Sequence, residues 1–145
     1  MLVRGGIVVA VLVLAACGAG SGEGLDVNGR PLAPGGASAL VPTFSSIQDH
    51  VFTPICAVPG CHGGASAQYG LRLDPGFSYG NLVNVASGQD ANQTRVIPGD
   101  PNDSLIIHKL EGTQTVGARM PDFGPYLPQS TIDVIRQWIL DGALQ

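Results

Sequence analysis

The stretch CAVPGCH, residues 56–62, places two thiols with four residues between them and sets an imidazole directly after the second. Three kinds of chemistry suit that set: an anchor for a covalently bound cofactor, a small disulfide loop, or half of a metal site. The choice among them decides the fold. The segments around the stretch are short helical patterns separated by long irregular ones, a poor recipe for an unaided core. Something bound or bridged at Cys56–His62 is expected to organise the middle of the chain.

The chain has 145 residues, a net charge of -4 and only 12% charged residues. It has no basic run, so nothing points to a nucleic-acid partner. Its 21 glycines and 11 prolines imply many turns.

The N-terminus reads as a targeting segment. Arg4 precedes the apolar run Ile7–Ala16, which falls short of the ~20 residues a spanning helix needs. The sequence LAAC, Leu14–Cys17, resembles a bacterial lipobox. That resemblance implies a signal peptide over 1–16, cleavage before Cys17 and lipid on the Cys17 thiol. The alternative is an ordinary secretory signal cleaved nearby. Either way the expected location is outside the cytoplasm, on the periplasmic side of the envelope or its outer surface. Gly18 leaves open which membrane holds the lipid. In an oxidising compartment free thiols are unusual, so Cys56 and Cys61 should be joined to each other or to something else. Residues 17–42 are rich in Gly, Ala, Ser and Pro and read as the anchor site and a flexible linker.

The folded part is expected over 43–145. Phe44, Ile47 and Val51 share a helix face. Ser45 or Ser46 suits its cap, and Pro54 should end it. Ser78 suits the cap of a short helix over Tyr79–Asn84, with Tyr79, Leu82 and Val83 inward. Val85–Val96 is polar and reads as surface loop. Asp100 and Pro101 suit the N-cap and first position of a helix carrying Leu105, Ile106 and Leu110, which Gly112 stops. Ser130 suits the cap of a last helix, with Asp133 in its first turn. Ile132, Ile135, Trp138 and Ile139 form its apolar stripe, and Gly142 closes it. No strand is predicted. The fold class is all-α, with short helices and long loops.

A c-type haem needs two thiols to add to its vinyl groups and an imidazole directly after the second, held under the iron. Cys61 and His62 have that adjacency, and Pro59–Gly60 can bend the extra residues outward so that Cys56 also reaches. Beyond Met1 the chain has one further methionine, Met120, in the irregular segment MPDFGPYLP. It offers a thioether as a second axial ligand; His108 is the other candidate. Arg95 has the forked geometry that suits a carboxylate such as a haem propionate, or it is a solvated surface arginine. Tyr79, Tyr126 and Trp138 line the same pocket or fill core. Zinc is a poor fit, because no second Cys or His pair follows. A Cys56–Cys61 disulfide would close only a small loop and leave His62 without a role.

The order of segments carries a resemblance. A helix leads to C-x4-CH, then to GLRLD (70–74), SYGNLVN (78–84), RVIPGDPNDSL (95–105), MP (120–121) and an amphipathic helix ending in DGA (141–143). This order is similar to the small bacterial c-type cytochrome domains, in particular those with four residues between the cysteines. It covers roughly Phe44–Ala143. The resemblance implies a cytochrome c-like domain wrapped around one covalent haem, with crossing terminal helices. It implies thioether links at Cys56 and Cys61 and iron ligation by His62 and Met120. The widened cysteine spacing departs from the common pattern. The implied function is electron transfer with redox partner proteins, by a carrier rather than an enzyme, tethered to a lipid bilayer. The alternatives are a haem-based enzyme or sensor, and a disulfide-bonded non-haem envelope module.

Overall fold

The computed structural model describes residues 39–145. The expected signal peptide, Cys17 and most of the linker lie outside the described residues. Four α-helices are present among the described residues: α1 (Phe44–Ile47), α2 (Ser78–Leu82), α3 (Leu105–Glu111) and α4 (Gln129–Leu140). A π-helix, Gln48–Cys56, continues α1, and Gln68–Gly70 forms a single 3-10 turn. Among the described residues there are isolated bridges but no strand. The domain is all-α, and no helix among these residues is long and apolar enough to cross a membrane.

The first helix departs from expectation at both ends. Thr43, not Ser45 or Ser46, is its cap, with Oγ1 accepting from the Ser46 N–H. Pro54 does not end it. A proline cannot donate to the carbonyl four residues back and its ring clashes there. Here the winding widens to the i→i−5 pattern and passes through Pro54, and the Ala57 N–H closes it on the Phe52 carbonyl at 2.7 Å. Such widened turns gather at functional sites, and this one delivers Cys56.

Ser78 opens α2 without capping it. Its hydroxyl lies in the interior, donating to Gln48 Oε1 and to the Asp74 carbonyl. Asp100 also does not cap α3. It caps a turn instead, its Oδ1 accepting from the Asn102 and Asp103 N–H groups, and α3 starts after Ser104. The first N–H groups of α3 are satisfied by the loop before it, Leu105 donating to Thr94 and Ile106 to Arg95. That answers the orphan donors of a helix start. The 85–96 loop is therefore not all surface. Its ends pair through Asn84–Val96 and Arg95–Val85, and Val96 is fully buried. Gly112 stops α3 as expected, at a φ of 81° that glycine adopts without cost.

In α4 the predicted stripe is the buried one: Ile132, Ile135, Trp138 and Ile139. The residue at its N-cap is Pro128, not Ser130. Trp138 sits at the centre of the core. Its ring lies 5.7 Å from that of Phe44, which joins the last helix to the first. Tyr79 meets Phe44 edge-on at 5.2 Å. Glu111 at the end of α3 accepts from Nε and one terminal nitrogen of the Arg136 guanidinium of α4, at 2.8 and 3.1 Å. Each buried aliphatic or aromatic side chain contributes ~1.5–3 kcal/mol relative to exposure, so this cluster outweighs the surface contacts.

Candidate functional site

The stretch 56–62 is a closed loop. Pro59 and Gly60 occupy the middle of a tight turn, with Gly60 at φ 84° and the Cys61 N–H donating to the Val58 carbonyl at 3.1 Å. Proline then glycine is the pair such a turn favours. The turn folds the four intervening residues back, and the His62 N–H reaches the Cys56 carbonyl at 3.1 Å. Gly63 follows under strict space: a Cβ there would stand 2.5 Å from the Ala57 carbonyl oxygen. The widened spacing is thus absorbed by a Pro-Gly turn, and Cys56 stays close to His62. Both cysteines are free thiols. Burial, then the neighbouring Cys61, pushes the Cys56 thiol up to about 12.

His62 is oriented by the chain that follows it. Its Nδ1 lies 3.1 Å from the Leu71 carbonyl, and its own carbonyl accepts from the Leu73 N–H at 2.8 Å. Burial lowers its pKa against the opposing pull of the Leu71 carbonyl, and the positive charges of Arg95 and Lys109 add to the lowering. The 64–74 segment is pinned by Asp74, which accepts from Gly64 N–H and Arg72 Nε.

A largely apolar cavity lies inside this ring. His62, Cys56, Met120, Arg95, Lys109 and Phe52 are among its walls. It shares Cys56, His62, Tyr69, Gln89, Leu110 and Met120 with an open cleft that Cys61 also lines. A deep apolar space therefore opens outward between the Cys56–His62 loop and the Met120 segment.

The structure gathers Cys56, His62, Arg95 and Met120 around the inner cavity, with Cys61 on the outer cleft. It does not bring His108 there. His108 lines a separate polar groove, its Nδ1 2.8 Å from Thr113 Oγ1. Tyr79 and Trp138 pack with Phe44, and Tyr126 lies exposed beneath the Arg119 guanidinium. Arg95 is buried, not solvated. Its two terminal nitrogens donate to the carbonyls of Tyr69, Gly70 and Asn81. Lys109, Tyr69 and Gln89 went unread in the sequence. Lys109 had a signal, since it stands four residues after Leu105, on the face expected to be apolar.

A covalent haem asks for an apolar slot, two thiols at its margin and side chains in its walls that can ligate iron. These residues fit that demand. His62 offers a neutral, oriented imidazole, Met120 a thioether, and Cys56 and Cys61 are unpaired. No cluster of three His, Cys, Asp or Glu side chains suited to a metal ion occurs among the described residues. Comparison of the chain with protein-family models, curated proteins and solved structures gave no match.

Proposed function

We propose that this chain is a monohaem c-type electron carrier of the cell envelope, tethered by lipid at Cys17. One observation carries the proposal: the oriented imidazole of His62 and the thioether of Met120 line the same apolar cavity, beside two free thiols. Cys56 and Cys61 would hold the haem covalently, and His62 and Met120 would ligate its iron. When bound, the haem supplies one-electron redox chemistry at its iron.

The chain's own residues set the conditions for that chemistry. The Leu71 carbonyl holds the ring of His62 and leaves its other nitrogen free. Phe52, Leu73 and Leu82 keep water from the inner cavity. Arg95 contributes a buried positive charge in that wall, which suits the acidic substituents of a haem. With both His62 and Met120 given to the iron, no position would remain open for substrate, so transfer of electrons between redox partner proteins would be favoured over catalysis. Methionine ligation raises the reduction potential. The low charge of the chain disfavours strongly steered docking.

The test is optical. Protein made with haem-maturation machinery should show haem absorption that changes on reduction, with a methionine–iron signature in the oxidised state. A Met120→Ala variant should lose that signature and keep its haem.

A further inference from the structure

We infer that Lys109 is the positioning residue that sets the Met120 thioether, a role that rests on the reading of Met120 as ligand. Lys109 lies on α3 and is only 8% exposed, with no carboxylate among its hydrogen-bond partners. A buried charge of that kind is costly unless every donor is used. All three ammonium protons have a taker: Gln89 Oε1 at 2.6 Å, the Val116 carbonyl at 2.6 Å and the Ala118 carbonyl at 3.4 Å. Two of these acceptors belong to the segment that leads into Met120. The backbone closes the same contact from the other side, the Met120 N–H donating to the Lys109 carbonyl at 2.8 Å. One residue thus grips the methionine segment through its head group and its main chain.

Gly117 fits the same device. It lies directly over the ammonium, where a Cβ would stand 2.7 Å from Lys109 Nζ and 2.6 Å from Gln89 Nε2. Its φ of 66° also disfavours any other residue. Gln89 comes from the 85–96 loop, so the clasp joins three segments around the cavity wall. With its protons committed to this cage, the ammonium is spoken for by the Met120 segment rather than by a ligand in the cavity. A site residue held in this way keeps its geometry only while its support is intact.

The experiment uses haem-loaded, full-length protein and compares wild type with Lys109→Met, Gly117→Ala and Met120→Ala. Lys109→Met keeps an unbranched stem and removes the ammonium. The account expects it to retain covalent haem, to weaken or lose the methionine–iron signature, and to lower the midpoint potential towards that of Met120→Ala. Amide exchange at Met120 should quicken by about 10- to 100-fold, the range for losing hydrogen bonds to a charged group. Gly117→Ala disturbs the clasp without removing the charge and should shift potential and exchange in the same direction. It decides the matter if Lys109→Met does not accumulate. Wild-type signature, potential and exchange in the Lys109 and Gly117 variants would overturn the positioning role and leave Met120 as ligand. A wild-type protein without the signature, or a Met120→Ala variant that keeps it, would overturn the ligand assignment and the positioning role together.

Discussion

The Nδ1 atom of His62 lies 3.1 Å from the carbonyl oxygen of Leu71. A carbonyl only accepts, so Nδ1 carries the proton and Nε2 carries the free lone pair. Burial disfavours the imidazolium, so the ring stays neutral and can act as a ligand. Leu71 lies only nine residues on, in a segment fastened by Asp74, so the ring's orientation is fixed locally.

If Met120 is the second ligand, His108→Ala should leave the oxidised and reduced spectra unchanged. His108 faces a different groove and contacts Thr113. A changed spectrum, or a midpoint potential shifted in redox titration, would mean that His108 reaches the iron.

Gly63→Ala should damage the loop that carries both thiols. The new Cβ would meet backbone atoms of Ala57 and Val58 at 2.5–3.0 Å, and backbone cannot step aside as a flexible side chain can. A cost of about 1–3 kcal/mol follows from overpacking, read as a lower unfolding midpoint in denaturant and a smaller yield of covalent haem. Unchanged values for both would show that the loop relaxes freely.

Trp138→Ala should cost about 3–5 kcal/mol, the usual range for emptying a large aromatic site in a core. The indole is 2% exposed, packs on Phe44 and donates to the Leu144 carbonyl at 2.7 Å. Equilibrium unfolding measures it; a loss under about 1 kcal/mol is what a peripheral side chain would give.

The Glu111–Arg136 pair gives a pH dependence. The Arg136 hydrogen bond holds the Glu111 carboxyl below the usual carboxylate range. Its contribution is therefore complete above the ordinary glutamate value of about 4.3. It is lost as pH falls through the lower folded value. Both partners are partly exposed, so Glu111→Gln should cost only about 0.5–1 kcal/mol at neutral pH. The difference from wild type should close in acid. A difference that stays constant into strong acid would show that the charge on Glu111 is not its source.

The sequence was most legible where periodicity is strong and the local chemistry is unambiguous. The α4 stripe of Ile132, Ile135, Trp138 and Ile139 repeats at helical spacing and is buried as such. Gly112 and the Pro59–Gly60 turn follow from backbone chemistry alone. The misses share a cause: a local preference met a tertiary partner. Pro54 stays within its helix because the winding widens around it. Asp100 finds turn N–H groups before α3 begins, and Ser78 turns inward to Gln48. Lys109 stands out as a lysine on an apolar face, but nothing local shows what it grips. Its partners, Gln89, Val116 and Ala118, are distant or lie in irregular chain. For the site, the thiols, His62 and Met120 could be named from the sequence, but not which of them share a cavity wall.

The most direct measurement is haem staining after denaturing electrophoresis of protein made with haem-maturation machinery. The account predicts a stained band at the position of the chain, lost in the Cys56→Ala/Cys61→Ala double variant. A colourless chain carrying a Cys56–Cys61 disulfide would contradict it.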